Sequence, residues 1–91
     1  MPDDVYVLPI GTEFDLHTFS PQEVRSVVAE YVRAAAENGL TEVRVIHGRG
    51  TGVQRVIVQS VLEQHPNVTT FWDAPESHLG ATIARIRPVP D

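Results

Sequence analysis

The sequence has no cysteine, no lysine and no apolar run long enough to cross a membrane. The lack of cysteine excludes disulfides and thiolate metal sites, and it is consistent with a reducing compartment. A membrane-spanning helix needs about 20 consecutive apolar residues, so none is predicted. The acidic start, residues 1–4, lacks the basic and apolar segments of a secretion signal. We therefore expect a cytoplasmic protein that does not enter a membrane.

Positive charge is also scarce. The 91 residues include seven arginines against twelve acidic residues, which gives a formal net charge of −5. Proteins that bind nucleic acid non-specifically through phosphate contacts are normally basic, so this balance counts against such a protein. Arginine contacts phosphate with two parallel hydrogen bonds, but a genomic codon bias explains the missing lysines at least as well. The length and the 42% apolar fraction indicate one small globular domain.

Hydrophobic periodicity predicts the element order β-α-β-α-β-β. The predicted strands and helices occupy approximately residues 13–17, 21–38, 42–47, 53–64, 68–72 and 81–87, with an extended segment before the first strand. Strands that alternate with helices predict parallel pairing through right-handed crossovers, and the short last loop predicts an antiparallel final pair. The expected fold is a two-layer α/β domain, a four-stranded mixed sheet with both helices on one face.

Two motifs close the first two predicted strands: Asp15-Leu16-His17, and a glycine-rich run that begins at His47. Ligands of open α/β sheets bind beyond the carboxyl ends of the strands. If the two strands are neighbours, as consecutive strands usually are, Asp15, His17 and His47 meet at one edge of the sheet.

The run after His47 predicts an anion site at the start of the second helix. Its glycines permit close backbone approach, and the free N–H groups of a helix start attract phosphate. The G-x-G-x-G spacing differs from both the dinucleotide fingerprint and the Walker A loop. Thr51 and Gln54 also fit a capping box. The candidate phosphate-binding residues are Gly48, Arg49, Gly50, Thr51, Gly52 and Arg55.

These residue types suggest two mechanisms. Two histidines could act as general acid and general base on a phosphodiester. Alternatively, Asp15 and a histidine could hold a divalent metal such as magnesium or manganese. Structural alternatives exist as well, since His47 could cap a carbonyl or a loop, the glycines could serve only a tight turn, and Asp15 could only orient His17. His78, in the last loop, could reach the same edge, whereas His65 fits a helix end.

The motifs together resemble the Smr (small MutS-related) domain family. The resemblance rests on Asp15-Leu16-His17, the block His47 to Gly52, a helix that ends in His65-Pro66, and the late segment from Gly80 to Thr82. It extends from about residue 13 to residue 87. The chain is therefore divided into an N-terminal segment (1–12), an Smr-like domain (13–87) and a tail (88–91).

The resemblance implies a two-layer sandwich similar to the C-terminal domain of translation initiation factor three. It also implies an endonuclease that nicks DNA or cleaves RNA, with roles in DNA repair or recombination and with a MutS-like or ribosomal partner. Carried over by position, Asp15, His17 and His47 are the catalytic residues, and Gly80 is a further contact. The first motif continues with Thr18-Phe19 where the family usually has glycine or arginine. A binding module that does not cut is therefore the alternative, and the oligomeric state is left open.

Overall fold

The computed structural model describes residues 11–48, 52–75 and 80–89. The elements are β1 (Glu13–Asp15), α1 (Pro21–Glu37), β2 (Glu42–Ile46), α2 (Val53–Gln64), β3 (Val68–Asp73) and β4 (Ala81–Ile86). Their order is the predicted one. No helix among these residues is long and apolar enough to cross a membrane.

The strands form one mixed sheet in the order β1-β2-β4-β3. β1 and β2 are parallel neighbours, as predicted, with Phe14 opposite Val45 and Asp15 opposite Ile46. β4 pairs antiparallel with both β2 and β3. β2 and β3 therefore run in the same direction with β4 between them, so the crossover through α2 skips one strand.

The core lies between the sheet and the two helices, which contact each other. α1 contributes an apolar stripe at helical spacing, and β2 and β4 contribute alternate residues. The largest fully buried side chains include Tyr31, Leu16, Leu62, Val24, Val27 and Val28. Both helices thus pack on one face of the sheet, as the periodicity predicts.

The opposite face of the sheet is partly covered by its own side chains. Ile46, Ala74, Ala81 and Ile83 form a small second apolar cluster there. The cross-strand neighbours Glu13 and Arg44 form an ion pair at 3.9 Å, as do Glu42 and Arg85 at 3.4 Å. Exposed pairs of this kind add little stability, so their main effect is to keep this face polar at its rim.

Local contacts end β1 earlier than expected and start α2 differently. The backbone N–H of His17 donates to Asp15 Oδ1 at 2.9 Å, a turn that ends the strand at Asp15. The part of the predicted extended segment before residue 11 lies outside the described residues. α2 has Gly52 as its N-cap at φ +85°, which places Gln54 too early for the predicted capping box; its other member, Thr51, is not among the described residues.

Candidate functional site

The structure brings Asp15, His17 and His47 to one edge of the sheet because β1 and β2 are adjacent and parallel. They line a groove of about 370 Å³ whose other walls are Ile46, Gly48 and Gln54. The groove is built by β1, β2, the loops that follow these strands and the first turn of α2. The sequence-based expectation that the two motifs converge is therefore met in the geometry.

Asp15 and His17 form a dyad. The ring Nδ1 of His17 lies 3.1 Å from Asp15 Oδ1, with 76% of the His17 side chain and 44% of the Asp15 side chain exposed. The backbone N–H of His17 is the main cause that holds the pKa of Asp15 below its usual value; burial opposes it, and the His17 ring adds a further lowering effect. Among the described residues, the ring Nε2 has no hydrogen-bond partner. That nitrogen is available to a ligand in the groove.

His47 is held very differently. Its side chain is buried, and both ring nitrogens are occupied: Nδ1 lies 2.9 Å from the Gly48 carbonyl oxygen and Nε2 lies 2.9 Å from Thr82 Oγ1. The backbone N–H groups of His47 and Gly48 both donate to the Gly80 carbonyl, at 3.0 and 3.1 Å. His47 therefore forms part of the groove wall and is fixed from several sides.

His47 is also held by a series of hydrogen-bonded polar side chains that could not be found by reasoning from the sequence. Gln59 Nε2 donates to Thr82 Oγ1 at 3.1 Å and to Asp73 Oδ1 at 2.9 Å. Arg55 donates to both carboxylate oxygens of Asp73, at 2.9 and 2.7 Å. Arg55 and Gln59 are one helical turn apart on α2, a spacing that could have indicated a shared partner. Nothing in the sequence indicates that this partner is Asp73.

Arg55 was predicted to supply charge to a bound phosphate. In this structure its guanidinium is bound by Asp73, which raises the pKa of Arg55 and lowers that of Asp73, in each case chiefly through their hydrogen bonds. Arg55 still lines a second groove of about 400 Å³, which shares His47, Gly48 and Gln54 with the first. The two grooves are therefore contiguous around the start of α2.

Gly48 and Gly52 flank the predicted anion-binding loop. Both have φ +85°, a left-handed conformation that glycine adopts without strain. Gly80, on the other side of His47, has φ +81° and accepts two backbone hydrogen bonds. Arg49, Gly50, Thr51 and His78, which the sequence suggested as further contacts, lie outside the described residues.

A divalent metal would find two candidate ligands at this edge, the Asp15 carboxylate and the His17 imidazole. No group of three or more histidine, aspartate or glutamate side chains with ligand geometry occurs within 11–48, 52–75 and 80–89. His47 could ligate a metal only by giving up one of its two ring hydrogen bonds.

The Smr domain model matches residues 14–87 of this chain. The chain belongs to the Smr domain family. It is similar to the endonuclease MutS2 of Clostridium novyi, with 36% identity over 80 residues, and to that of Acetivibrio thermocellus, with 38% identity over 80 residues. These alignments cover 86% of this chain and 10% of each relative, so the chain spans about a tenth of the length of these curated relatives.

The fold agrees with this family. The crystal structure of the Smr domain of Thermus thermophilus MutS2 superposes with a TM-score of 0.78 and 31% identity, covering 86% of this chain and all of that domain. The α+β architecture inferred from periodicity is therefore that of an Smr domain. The relatives named as endonucleases are much longer proteins, so their activity is a hypothesis for this chain.

Proposed function

We propose that this Smr domain is a nucleic-acid endonuclease that cleaves phosphodiester bonds of DNA or RNA in the groove between β1 and the start of α2. The observation that carries the proposal is the Asp15–His17 dyad, whose outer ring nitrogen has no partner among the described residues. A carboxylate that orients an imidazole in this way is a recurrent arrangement for acid–base chemistry.

In this mechanism His17 is the group that moves a proton. Asp15 accepts the Nδ1–H hydrogen bond, which leaves Nε2 as the nitrogen that can remove a proton from water or from a ribose hydroxyl. The pKa of Asp15 is held below its usual value by the backbone N–H of His17. Asp15 therefore keeps its charge over the whole range in which imidazole titrates.

The start of α2 would receive the phosphate. Gly48 and Gln54 line both grooves, Gly52 and Val53 line the second groove, and a helix N-terminus favours an anion. In the alternative mechanism a divalent metal such as magnesium or manganese would neutralise charge on the phosphate and activate water, with Asp15 and His17 as its protein ligands, and His17 would then not act as the base. Relatives named endonuclease MutS2 share this domain, which supports phosphodiester cleavage over other phosphate chemistry.

The test is cleavage of supercoiled DNA and of structured RNA by the purified chain, with magnesium, with manganese and with a chelator. We expect His17→Asn and Asp15→Asn to lower the cleavage rate, the first by roughly 100-fold or more because it removes the proton-transfer group. Glu63→Gln is the matched control, since Glu63 is an exposed carboxylate at the far end of α2.

Two results would contradict the proposal. One is a wild-type chain that leaves both substrates intact under all three conditions. The other is cleavage that persists unchanged in His17→Asn, because the activity would then belong to another site or to a contaminating nuclease.

A binding module without cleavage is the second candidate function. It is favoured by the occupied nitrogens of His47 and by the pairing of Arg55 with Asp73, which together reduce the free positive and reactive groups at the groove. A titration of single-stranded and branched oligonucleotides at increasing salt separates the cases. Phosphate-driven binding weakens steeply with salt, whereas a flat response indicates a protein partner.

A further inference from the structure

Five side chains form an unbroken hydrogen-bonded chain from the surface of α2 to the glycine-rich loop. It runs from Arg55 through Asp73, Gln59 and Thr82 to His47, with donor–acceptor distances between 2.7 and 3.1 Å. Members come from α2, β3, β4 and the residue after β2. Within the described residues no buried side-chain nitrogen or oxygen lacks a hydrogen-bond partner.

The charged end of the chain sets the direction of its hydrogen bonds. Arg55 can only donate, so it holds the carboxylate of Asp73 with two N–H groups. That carboxylate can only accept, and the Gln59 amide must therefore face it with its NH₂ group. The same NH₂ group then donates to Thr82 Oγ1.

The other end is set by a backbone carbonyl. The Gly48 oxygen, 2.9 Å from His47 Nδ1, has no proton to donate, so Nδ1 of the ring carries the hydrogen. In the neutral ring Nε2 is then an acceptor, and its partner at 2.9 Å is the Thr82 hydroxyl. That hydroxyl can point its hydrogen at Nε2 because its oxygen already accepts from Gln59. The donors and acceptors assigned from the Arg55 end of the chain therefore agree with those assigned from the Gly48 carbonyl.

We infer that this chain fixes His47 as the Nδ1–H tautomer, and that His47 is a positioning residue that holds the Gly48 carbonyl and the start of the glycine-rich loop. Thr82, which contacts the His47 ring, and Gln59, which contacts Thr82, are positioning residues as well. Proton transfer in the groove is then left to His17. The tautomer is a property of the folded chain; only its consequence for cleavage rests on the proposed function.

Ring-nitrogen NMR of the ¹⁵N-labelled chain tests this inference directly. In the wild type at a pH where His47 is neutral, we expect the proton on Nδ1 and a non-protonated Nε2. Thr82→Val, which removes the hydroxyl at nearly constant volume, should abolish the single tautomer and shift the Gly48 amide resonance. Thr82→Ser, which restores the hydroxyl, should return both signals. Gln59→Leu should give an intermediate loss because Thr82 keeps its hydroxyl.

A proton on Nε2 in the wild type would overturn the inference, as would an unchanged tautomer and an unmoved Gly48 amide in Thr82→Val. If Thr82→Val does not fold, the wild-type tautomer and Gln59→Leu decide the question. Where the chain cleaves nucleic acid, Thr82→Val should lower kcat about tenfold, the size of one hydrogen bond, and Thr82→Ser should not. Absence of cleavage in the wild type would contradict the proposed endonuclease and leave the tautomer result standing.

Discussion

Tyr31 offers the most direct test of how the short strand β1 is anchored. Its side chain is fully buried, its hydroxyl donates to the Gly11 carbonyl, and its ring stacks on Phe14 with centroids 4.6 Å apart. β1 has three residues and carries Asp15 at its end, so this anchor holds one side of the groove. Tyr31→Phe keeps the ring and its stacking and removes only the hydroxyl.

At neutral pH we expect Tyr31→Phe to lower the free energy of unfolding by about 1–2 kcal/mol. The variant loses one buried hydrogen bond and leaves the Gly11 carbonyl without that donor. Urea unfolding followed by the fluorescence of the single tryptophan, Trp72, measures the difference. Tyr31→Leu also removes the ring stacking on Phe14, and it should lower the free energy of unfolding by more than Tyr31→Phe does.

The difference in free energy of unfolding between the wild type and Tyr31→Phe should shrink at high pH. Burial, helped by the charge of Glu13, raises the pKa of Tyr31 to about 12. An unfolded tyrosine has a pKa of about 10, so the stability linked to the neutral phenol is complete below pH 10 and is lost as pH rises towards 12. At pH 11 the wild type should have lost about 1.4 kcal/mol that the phenylalanine variant cannot lose.

The wild type and Tyr31→Phe should therefore have similar stability near pH 11. A difference that stays constant between neutral pH and pH 11 would refute the linkage, and a loss above about 3 kcal/mol at neutral pH would show that packing rather than the hydrogen bond is disturbed. Tyr6→Phe removes the other tyrosine of the chain and controls for its titration.

The hydrogen bonds of Asp15 and His65 give two further predictions. The pKa of the Asp15 carboxyl should lie below the usual aspartate range in a carbon-detected NMR titration. The lowered pKa should largely persist in His17→Ala, because the backbone N–H of residue 17 is its main cause. The contribution of this carboxylate to the free energy of unfolding is present above the pKa of Asp15 in the unfolded chain and is lost as pH falls through its pKa in the folded chain. His65→Ala should lower the free energy of unfolding by about 1–3 kcal/mol in a urea titration. The His65 ring forms a hydrogen bond with the Ala29 carbonyl at 3.1 Å and accepts one from the Asn67 N–H at 3.1 Å. An unchanged free energy of unfolding would show that these two hydrogen bonds are dispensable.

Elements marked by local signals could be predicted from the sequence. α1 begins after Ser20, where the Glu23 carboxylate accepts the Ser20 N–H at 2.9 Å, and it ends before Gly39 at φ +77°. Both signals lie within a few residues of the helix ends, so a pattern of capping residues is enough to find them. The parallel pairing of β1 with β2 followed from the usual adjacency of consecutive strands.

Features set by distant contacts could not be predicted. The position of β4 between β2 and β3 depends on pairing across the whole second half of the chain. The partner of Arg55 is Asp73, eighteen positions later, and an isolated arginine beside a glycine-rich loop looks the same whether it meets phosphate or carboxylate. The sequence likewise left His47 as either an acid–base group or a cap of a carbonyl, because its partner Thr82 is 35 positions away.

The register of β2 against β4 explains why two segments far apart in the sequence act as one unit. Val45 lies opposite Thr82 and Ile46 opposite Ala81, and the next backbone step brings the N–H groups of His47 and Gly48 to the Gly80 carbonyl. The left-handed conformation of Gly80 orients its carbonyl towards these two N–H groups. A residue with a Cβ would adopt this conformation only at a cost of about 1–2 kcal/mol. A substitution in the segment 80–82 would therefore act on the groove through His47, although the segment lies on a different strand from the Asp15–His17 dyad.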